Sequence, residues 1–88
     1  MINNNFFIKK IDNNYMIIPL NNNNVDMTNI YIINEIGYLI YNMLKDNKSI
    51  DDIKNQIKEE YDILDDDIII NDIKEFILEL KKRNIYKD

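Results

Sequence analysis

The residues of this 88-residue chain that could take part in chemistry are its carboxylates. The sequence contains 16 aspartates and glutamates but no histidine and no cysteine. Thiol nucleophiles, disulfides and the common zinc ligand sets are therefore excluded. A general base would have to be a carboxylate with a strongly shifted pKa in a deep cleft. A chain this short builds only one domain with a modest core, so we do not expect an enzyme.

Three consecutive carboxylates, Asp65, Asp66 and Asp67, are the most conspicuous cluster. A calcium-binding EF-hand loop needs spaced acids, a central glycine and a trailing glutamate, none of which this run provides. Acidic residues are favourable at the positive end of a helix. We therefore predict that the triplet starts a helix, and we expect neither a metal nor a cofactor.

Charge and hydropathy restrict the partners. The formal net charge of −5 repels phosphate backbones, which disfavours nucleic-acid binding. No apolar run approaches the ~20 residues of a membrane span, and residues 1–10 lack a signal-peptide core. We expect a cytoplasmic protein that binds neither nucleic acid nor membrane.

The first part of the chain has the pattern of an antiparallel meander. Residues 6–11 and 15–20 are rich in strand-forming residues and flank an Asp-Asn-Asn turn, and Pro19 should end the second strand. The asparagine tract at 21–24 predicts a loop, and 25–28 lead into a third strand at 29–33. The second strand would be central and the other two would be edges. Residues 1–5 are expected to be a flexible N-terminus, outside a domain at 6–86.

Three helices should follow the strands. Apolar residues recur at helical spacing within 35–46, 50–61 and 69–80, behind the capping residues Asn34, Ser49 and the aspartate triplet, and Asn84 is suited to a left-handed C-cap. Gly37 costs the first helix up to ~1 kcal/mol relative to alanine, unless close packing on the sheet compensates or the helix starts later. The predicted fold class is α+β: a three-stranded antiparallel sheet followed by three helices, in a winged helix-turn-helix-like arrangement.

Several segments resemble one family. Residues 30–35 (IYIINE), followed by Gly37 and Tyr41, resemble the strand-to-helix signature of PqqD-like proteins, and residues 49–53 and 72–80 resemble that family's second and third helices. The resemblance extends over residues 6–86. Ile33, Tyr41 and Asn84-Ile85 stand where leucine, tryptophan and glycine-leucine are common in the family. These differences weaken assignment to the pyrroloquinoline-quinone pathway more than assignment to the wider family.

The resemblance implies a peptide-recognition element of a pathway that makes ribosomally synthesised, post-translationally modified peptides (RiPPs). Such proteins are not enzymes; they hold the leader segment of a precursor peptide for a modifying enzyme, often a radical SAM protein or another RiPP maturase. The leader adds as a strand to the third strand, beside the third helix. Carried onto this sequence, the strand that pairs with the peptide consists of Asn29, Ile30, Tyr31, Ile32 and Ile33.

Helical geometry predicts the other wall of that groove. At about 100° per residue, Ile73, Ile77 and Leu80 centre the buried stripe of the third helix. The residues along one side of this stripe are our candidate groove wall: Ile69, Asp72, Phe76, Glu79 and Arg83. The two acids among them would favour a leader with a basic residue.

Other interpretations remain at this stage. The order of elements permits a winged-helix DNA-binding regulator, although acids outnumber the bases Lys74, Lys81, Lys82 and Arg83 on and before the third helix. A small enzyme using paired carboxylates and an assembly adaptor using the same sheet edge are further alternatives. The open edge could also mediate homodimerisation.

Overall fold

Along the chain, all the strands precede the helices. The computed structural model describes residues 1–21, 24–25 and 29–88, with side chains for 1–20 and 29–88. In chain order the elements are β1 (Phe6–Ile11), β2 (Asn14–Asn21), β3 (Asn24–Val25), β4 (Tyr31–Ile33), α1 (Glu35–Lys45), α2 (Ile50–Tyr61) and α3 (Asp66–Lys82). The predicted α+β class is confirmed.

The sheet is an antiparallel meander centred on β2. On one side β2 pairs with β1, from Phe6↔Pro19 to Ile11↔Asn14. On the other side it pairs with β4, through Tyr15↔Ile33, Met16↔Ile32 and Ile17↔Tyr31. The predicted order, with the second strand between two edges, is therefore confirmed.

The segment between β2 and β4 differs from the loop that we predicted. Asn21 and Asn24 are paired strand ends, because β3 forms a short antiparallel ladder with the end of β2. Residues 22–23 of the predicted loop, and 26–28 of the predicted lead into the third strand, lie outside the described residues.

Pro19 does not end β2, contrary to our prediction, and the pairing register explains why. The Leu20 amide donates to the Asn5 carbonyl at 3.0 Å. In an antiparallel strand each residue directs its N–H and C=O to the same side, and the side alternates along the strand. Even-numbered residues of β2 therefore bond towards β1 and odd-numbered residues towards β4. Pro19, which has no N–H, faces the β4 side, where continuation of the register would place Asn29.

This arrangement also explains why β4 is shorter than predicted. We expected a strand over 29–33, whereas β4 begins at Tyr31. Its last partner on β2 is Ile17, and the next residue of β2 able to bond in that direction would be Pro19, which cannot donate. The ladder between β2 and β4 therefore stops two residues earlier.

Each helix begins at the capping residue that the sequence indicated. Asn34 Oδ1 accepts from the Gly37 amide at 2.8 Å, Ser49 and Asp52 form a reciprocal capping box, and Asp65 accepts from the amides of residues 67 and 68. These bonds satisfy amides that the first helical turn leaves without partners. Asn84 has a φ of 60°, as expected of a left-handed cap. The aspartate triplet starts α3.

Gly37 belongs to α1 and packs tightly, which decides between the two explanations that the sequence left open. A Cβ at this position would lie 3.1 Å from Ile33 Cβ and 3.5 Å from Phe76 Cε1. Glycine therefore allows α1, β4 and α3 to approach one another. Close packing compensates for its low helix propensity.

The helices bury one face of the sheet. Ile17, Ile53, Ile73 and Leu80 are fully buried in a shared core. Beside this core, Lys58 Nζ of α2 lies 2.6 Å from Asp66 Oδ1 at the start of α3. The Lys58 ammonium beside Asp66 holds the pKa of that carboxyl below its usual value. The ion pair joins the N-terminal end of α3 to α2.

The two termini pair with each other, whereas we expected residues 1–5 to be flexible and separate from the domain. Ile2 forms a bridge with Tyr86, and the Asn3 amide donates to the Ile85 carbonyl at 2.7 Å. Ile2 and Ile85 are both buried in the core. Burial of these isoleucines favours the pairing.

Among the described helices, none is long and apolar enough to span a membrane.

Candidate functional site

The outer edge of β4 exposes backbone groups that can pair with another chain. Within residues 1–21, 24–25 and 29–88, the structure shows no strand paired with β4 other than β2. Because odd-numbered residues of β2 bond towards β4, Tyr31 and Ile33 direct their N–H and C=O groups to β2. Ile32 therefore directs its N–H and C=O groups away from the sheet.

The side chains of β4 alternate between the two faces. Tyr31 is half-buried and Ile33 is 5% exposed, and both pack against the core under the helices. Ile32 is 59% exposed, so its side chain projects from the opposite face. Its backbone is thus available at the edge without its side chain filling the space beside α3.

A groove of about 360 Å³ separates β4 from α3. Its sheet side consists of Tyr31, Ile32, Ile33 and Asn34. Its helical side consists of Ile36, Gly37, Ile40, Asp72 and Phe76. The structure thus places five of the residues predicted from the sequence around one concave surface: Tyr31, Ile32, Ile33, Asp72 and Phe76.

A chain of contacts links Tyr31 to α3. The Tyr31 ring packs against the Phe76 ring, with centroids 6.4 Å apart, and Arg83 Cζ lies 4.1 Å from the Tyr31 ring centroid. Arg83 Nε in turn donates to Glu79 Oε1 at 3.0 Å. Burial raises the pKa of the Tyr31 hydroxyl; the Glu79 carboxylate raises it further and the Arg83 guanidinium lowers it. Glu79 and Arg83 therefore support the groove through Tyr31.

The remaining predicted residues lie elsewhere. Ile69 is 3% exposed and belongs to the core, so its assignment to the groove wall is corrected. Helical angle alone placed it beside Asp72, but its side chain is part of the buried core. Asn29 lines a second concavity of about 400 Å³, together with Lys82 and Arg83. Ile30, between Asn29 and β4 in the sequence, is half-buried.

Sequence reasoning missed the α1 side of the groove. Ile36, Gly37 and Ile40 line it, although we interpreted the two isoleucines only as part of a core-facing stripe and Gly37 only in terms of packing against the sheet. The single glycine in the first turn of a helix was the available signal, because such a residue indicates a close approach.

These features define a class of small α+β domain with a winged-helix-like order, an open sheet edge and a groove between that edge and the last helix. The chain belongs to the PqqD family: the family model described as coenzyme PQQ synthesis protein D (PqqD) matches residues 20–85. The expectation drawn from the sequence is thereby confirmed.

A solved structure described as TbiB1 in complex with the TbiA(beta) leader peptide has the same fold. It superposes with a TM-score of 0.75 at 20% sequence identity, covering 99% of this chain and 98% of that one. No curated protein matches the chain significantly in sequence.

Proposed function

We propose that this protein binds the leader segment of a ribosomally synthesised precursor peptide as an added strand on β4. It presents the bound precursor to a partner RiPP-modifying enzyme, such as a radical SAM protein, and is not itself a catalyst. The observation that carries the proposal is the Ile32 backbone, directed away from the sheet beside a groove lined by β4, α1 and α3.

The groove supplies what an added strand needs beyond backbone pairing. An extended peptide loses conformational freedom on binding, and each new hydrogen bond contributes only ~1 kcal/mol after water is exchanged. Burial of apolar side chains, at roughly 25 cal/mol per Å², must provide the rest. Phe76 and Ile36, which are both half-buried, offer such a surface, and backbone pairing with side-chain pockets is the usual basis of strand addition.

The comparisons support the same function. The family match includes β4 and all three helices. The solved structure with the same fold is described as a complex with a leader peptide. That likeness covers nearly the whole of both chains.

The test is a titration followed by nuclear magnetic resonance. Isotope-labelled protein is titrated with the leader segment of the precursor peptide encoded nearest to this chain's gene, and a scrambled peptide serves as the control. We expect amide shifts at residues 30–34 and along 72–83 with the native leader peptide but not with the scrambled peptide. Shifts at the β1 edge, or none with either peptide, would overturn the proposal.

A further inference from the structure

A small cavity lies behind the groove, between the three helices. It measures about 60 Å³. Six isoleucines line it: Ile36, Ile40, Ile57, Ile63, Ile69 and Ile73. Among the described residues that line it, Asp72 is the only charged one. The cavity therefore suits a group that makes no hydrogen bonds, because a buried polar group without a partner is costly.

The cavity adjoins the groove. Ile36, Ile40 and Asp72 line both spaces, so these three residues lie between them. Asp72 is exposed, whereas Ile57 and Ile69 are each 3% exposed. A side chain entering from the groove would pass the carboxylate and end among buried isoleucines.

The strand register indicates which residue of an added peptide is directed towards the cavity. The peptide residue paired with Ile32 shares its side-chain direction and points away from the helices. Its two neighbours, opposite Tyr31 and Ile33, point towards the helices. Ile33 adjoins Gly37 at the α1 side of the groove, so the neighbour opposite Ile33 is the one directed at the cavity.

We propose that this isoleucine-lined cavity is a specificity pocket for one branched aliphatic side chain of the bound peptide. The inference rests on the proposed function and adds the class of side chain that the site selects. A water molecule needs roughly 10–15 Å³ measured in the same way, so a cavity of about 60 Å³ accommodates about four or five heavy atoms. Valine, leucine and isoleucine side chains have three or four carbons. Alanine underfills the pocket, phenylalanine exceeds it, and Asp72 disfavours an acidic residue.

The experiment uses the peptide that binds in the titration above. Each of its positions is replaced in turn by alanine, valine, leucine and phenylalanine. We expect one position at which an aliphatic residue is preferred, with affinity falling about fourfold for each carbon removed. In protein carrying labelled isoleucine methyl groups, the methyls of that peptide residue should show nuclear Overhauser contacts to Ile57 and Ile63, which line the cavity but not the groove.

A pair of matched variants gives a second readout. Ile57→Val removes one carbon from the cavity wall, and Ile53→Val removes one carbon from the same buried stripe of α2, away from the cavity. Both lose buried apolar volume, so their losses of stability are comparable. Ile57→Val should shift the ratio of affinities for the leucine and valine peptides about fourfold towards leucine. Ile53→Val should leave that ratio unchanged.

The failure of this inference differs from failure of the proposed function. The specificity pocket would be overturned if the ratio of affinities for the leucine and valine peptides were the same in Ile57→Val and Ile53→Val. It would also be overturned if the methyl contacts were confined to Ile36 and Ile40. In both cases, amide shifts at residues 30–34 would still support strand addition. Absence of those amide shifts would instead overturn strand addition itself.

Discussion

The two edge strands of the sheet, β1 and β4, differ in what surrounds their unpaired backbone. Both pair with β2, and among the described residues neither pairs with a further strand. By the register, Phe6, Ile8 and Lys10 direct their N–H groups outwards from β1, as Ile32 does from β4. Backbone availability is therefore common to both edges.

Their side chains distinguish them. β1 carries two exposed lysines, Lys9 and Lys10, and charged residues on an edge strand discourage pairing. β4 carries no charge over Tyr31–Ile33 and borders a groove with Phe76 on its far wall. An open edge becomes a binding site only where pockets adjoin it, because ladder hydrogen bonds alone contribute little after exchange with water.

The largest effect should come from removing the outward N–H of β4. Ile32→Pro deletes that donor, while the bonds from Tyr31 and Ile33 to β2 remain. We expect leader affinity to fall about tenfold or more, as measured by isothermal titration calorimetry, with an unchanged circular dichroism spectrum. Ile32→Ala, which keeps the N–H, should bind like the original protein.

The matched control is on the other edge. Lys10→Pro deletes an outward N–H from β1 and should leave leader affinity unchanged. If both proline variants weaken binding equally, the difference that we infer between the edges does not exist.

A second effect should come from filling the space at Gly37. Alanine gains ~1 kcal/mol of helix propensity, but its Cβ would lie 3.1 Å from Ile33 Cβ. Overpacking of this kind costs ~1–3 kcal/mol, and Ile33 is held by its pairing with Tyr15. We expect Gly37→Ala to lower the free energy of unfolding by ~1 kcal/mol in urea titrations and to weaken leader binding. The control is Asn55→Ala at an exposed position of α2, which changes helix propensity without changing core packing. If Gly37→Ala and Asn55→Ala stabilised the protein to a similar extent, the packing at Gly37 would not be as tight as we infer.

A smaller effect should come from Arg83. Its contact with the Tyr31 ring is of a kind that contributes ~0.5–1 kcal/mol at exposed sites. Arg83→Ala should therefore weaken leader binding by about two- to fivefold, whereas Lys82→Ala, without that ring contact, should not. The pKa of Tyr31 should rise further in Arg83→Ala, since the guanidinium lowers it, and this is measurable from the labelled tyrosine ring carbon. An unchanged Tyr31 pKa would show that the contact is not maintained in solution.

The smallest effect should come from Asp72 in the groove wall. An exposed ion pair contributes less than ~1 kcal/mol, so Asp72→Asn should weaken binding of a leader with a nearby basic residue by less than about fivefold. The difference should shrink as salt is added. Unchanged affinity for every leader tested at low salt would remove Asp72 from the site.

Much of the fold followed from local rules. Asn34, Ser49 and Asp65 cap their helices because short polar side chains satisfy the first free amides. Asn84 adopts the left-handed conformation that asparagine tolerates. The β4 candidates followed from the resemblance to PqqD-like proteins, which also placed the groove beside the third helix. Asp72 and Phe76 could then be named from helical angle, which is a property of the chain itself.

Other features depend on packing between residues that are far apart in the sequence. Ile69 has a helical angle suitable for the groove, but it is buried in the core, where it lines a cavity together with residues of α1 and α2. The cavity combines Ile36, Ile57 and Ile63 from three separate segments. The pairing of Ile2 with Tyr86 joins opposite ends of the chain, and local periodicity contains no information about it.

The sequence by itself determined where each helix starts, which strand is central and which strand is followed directly by α1, because caps, turns and periodicity act over a few residues. Only the tertiary structure decided that the Ile32 N–H points outwards and that six isoleucines line a cavity behind the groove. Both depend on register and on the distance between helices, which are set by the packing of the whole core.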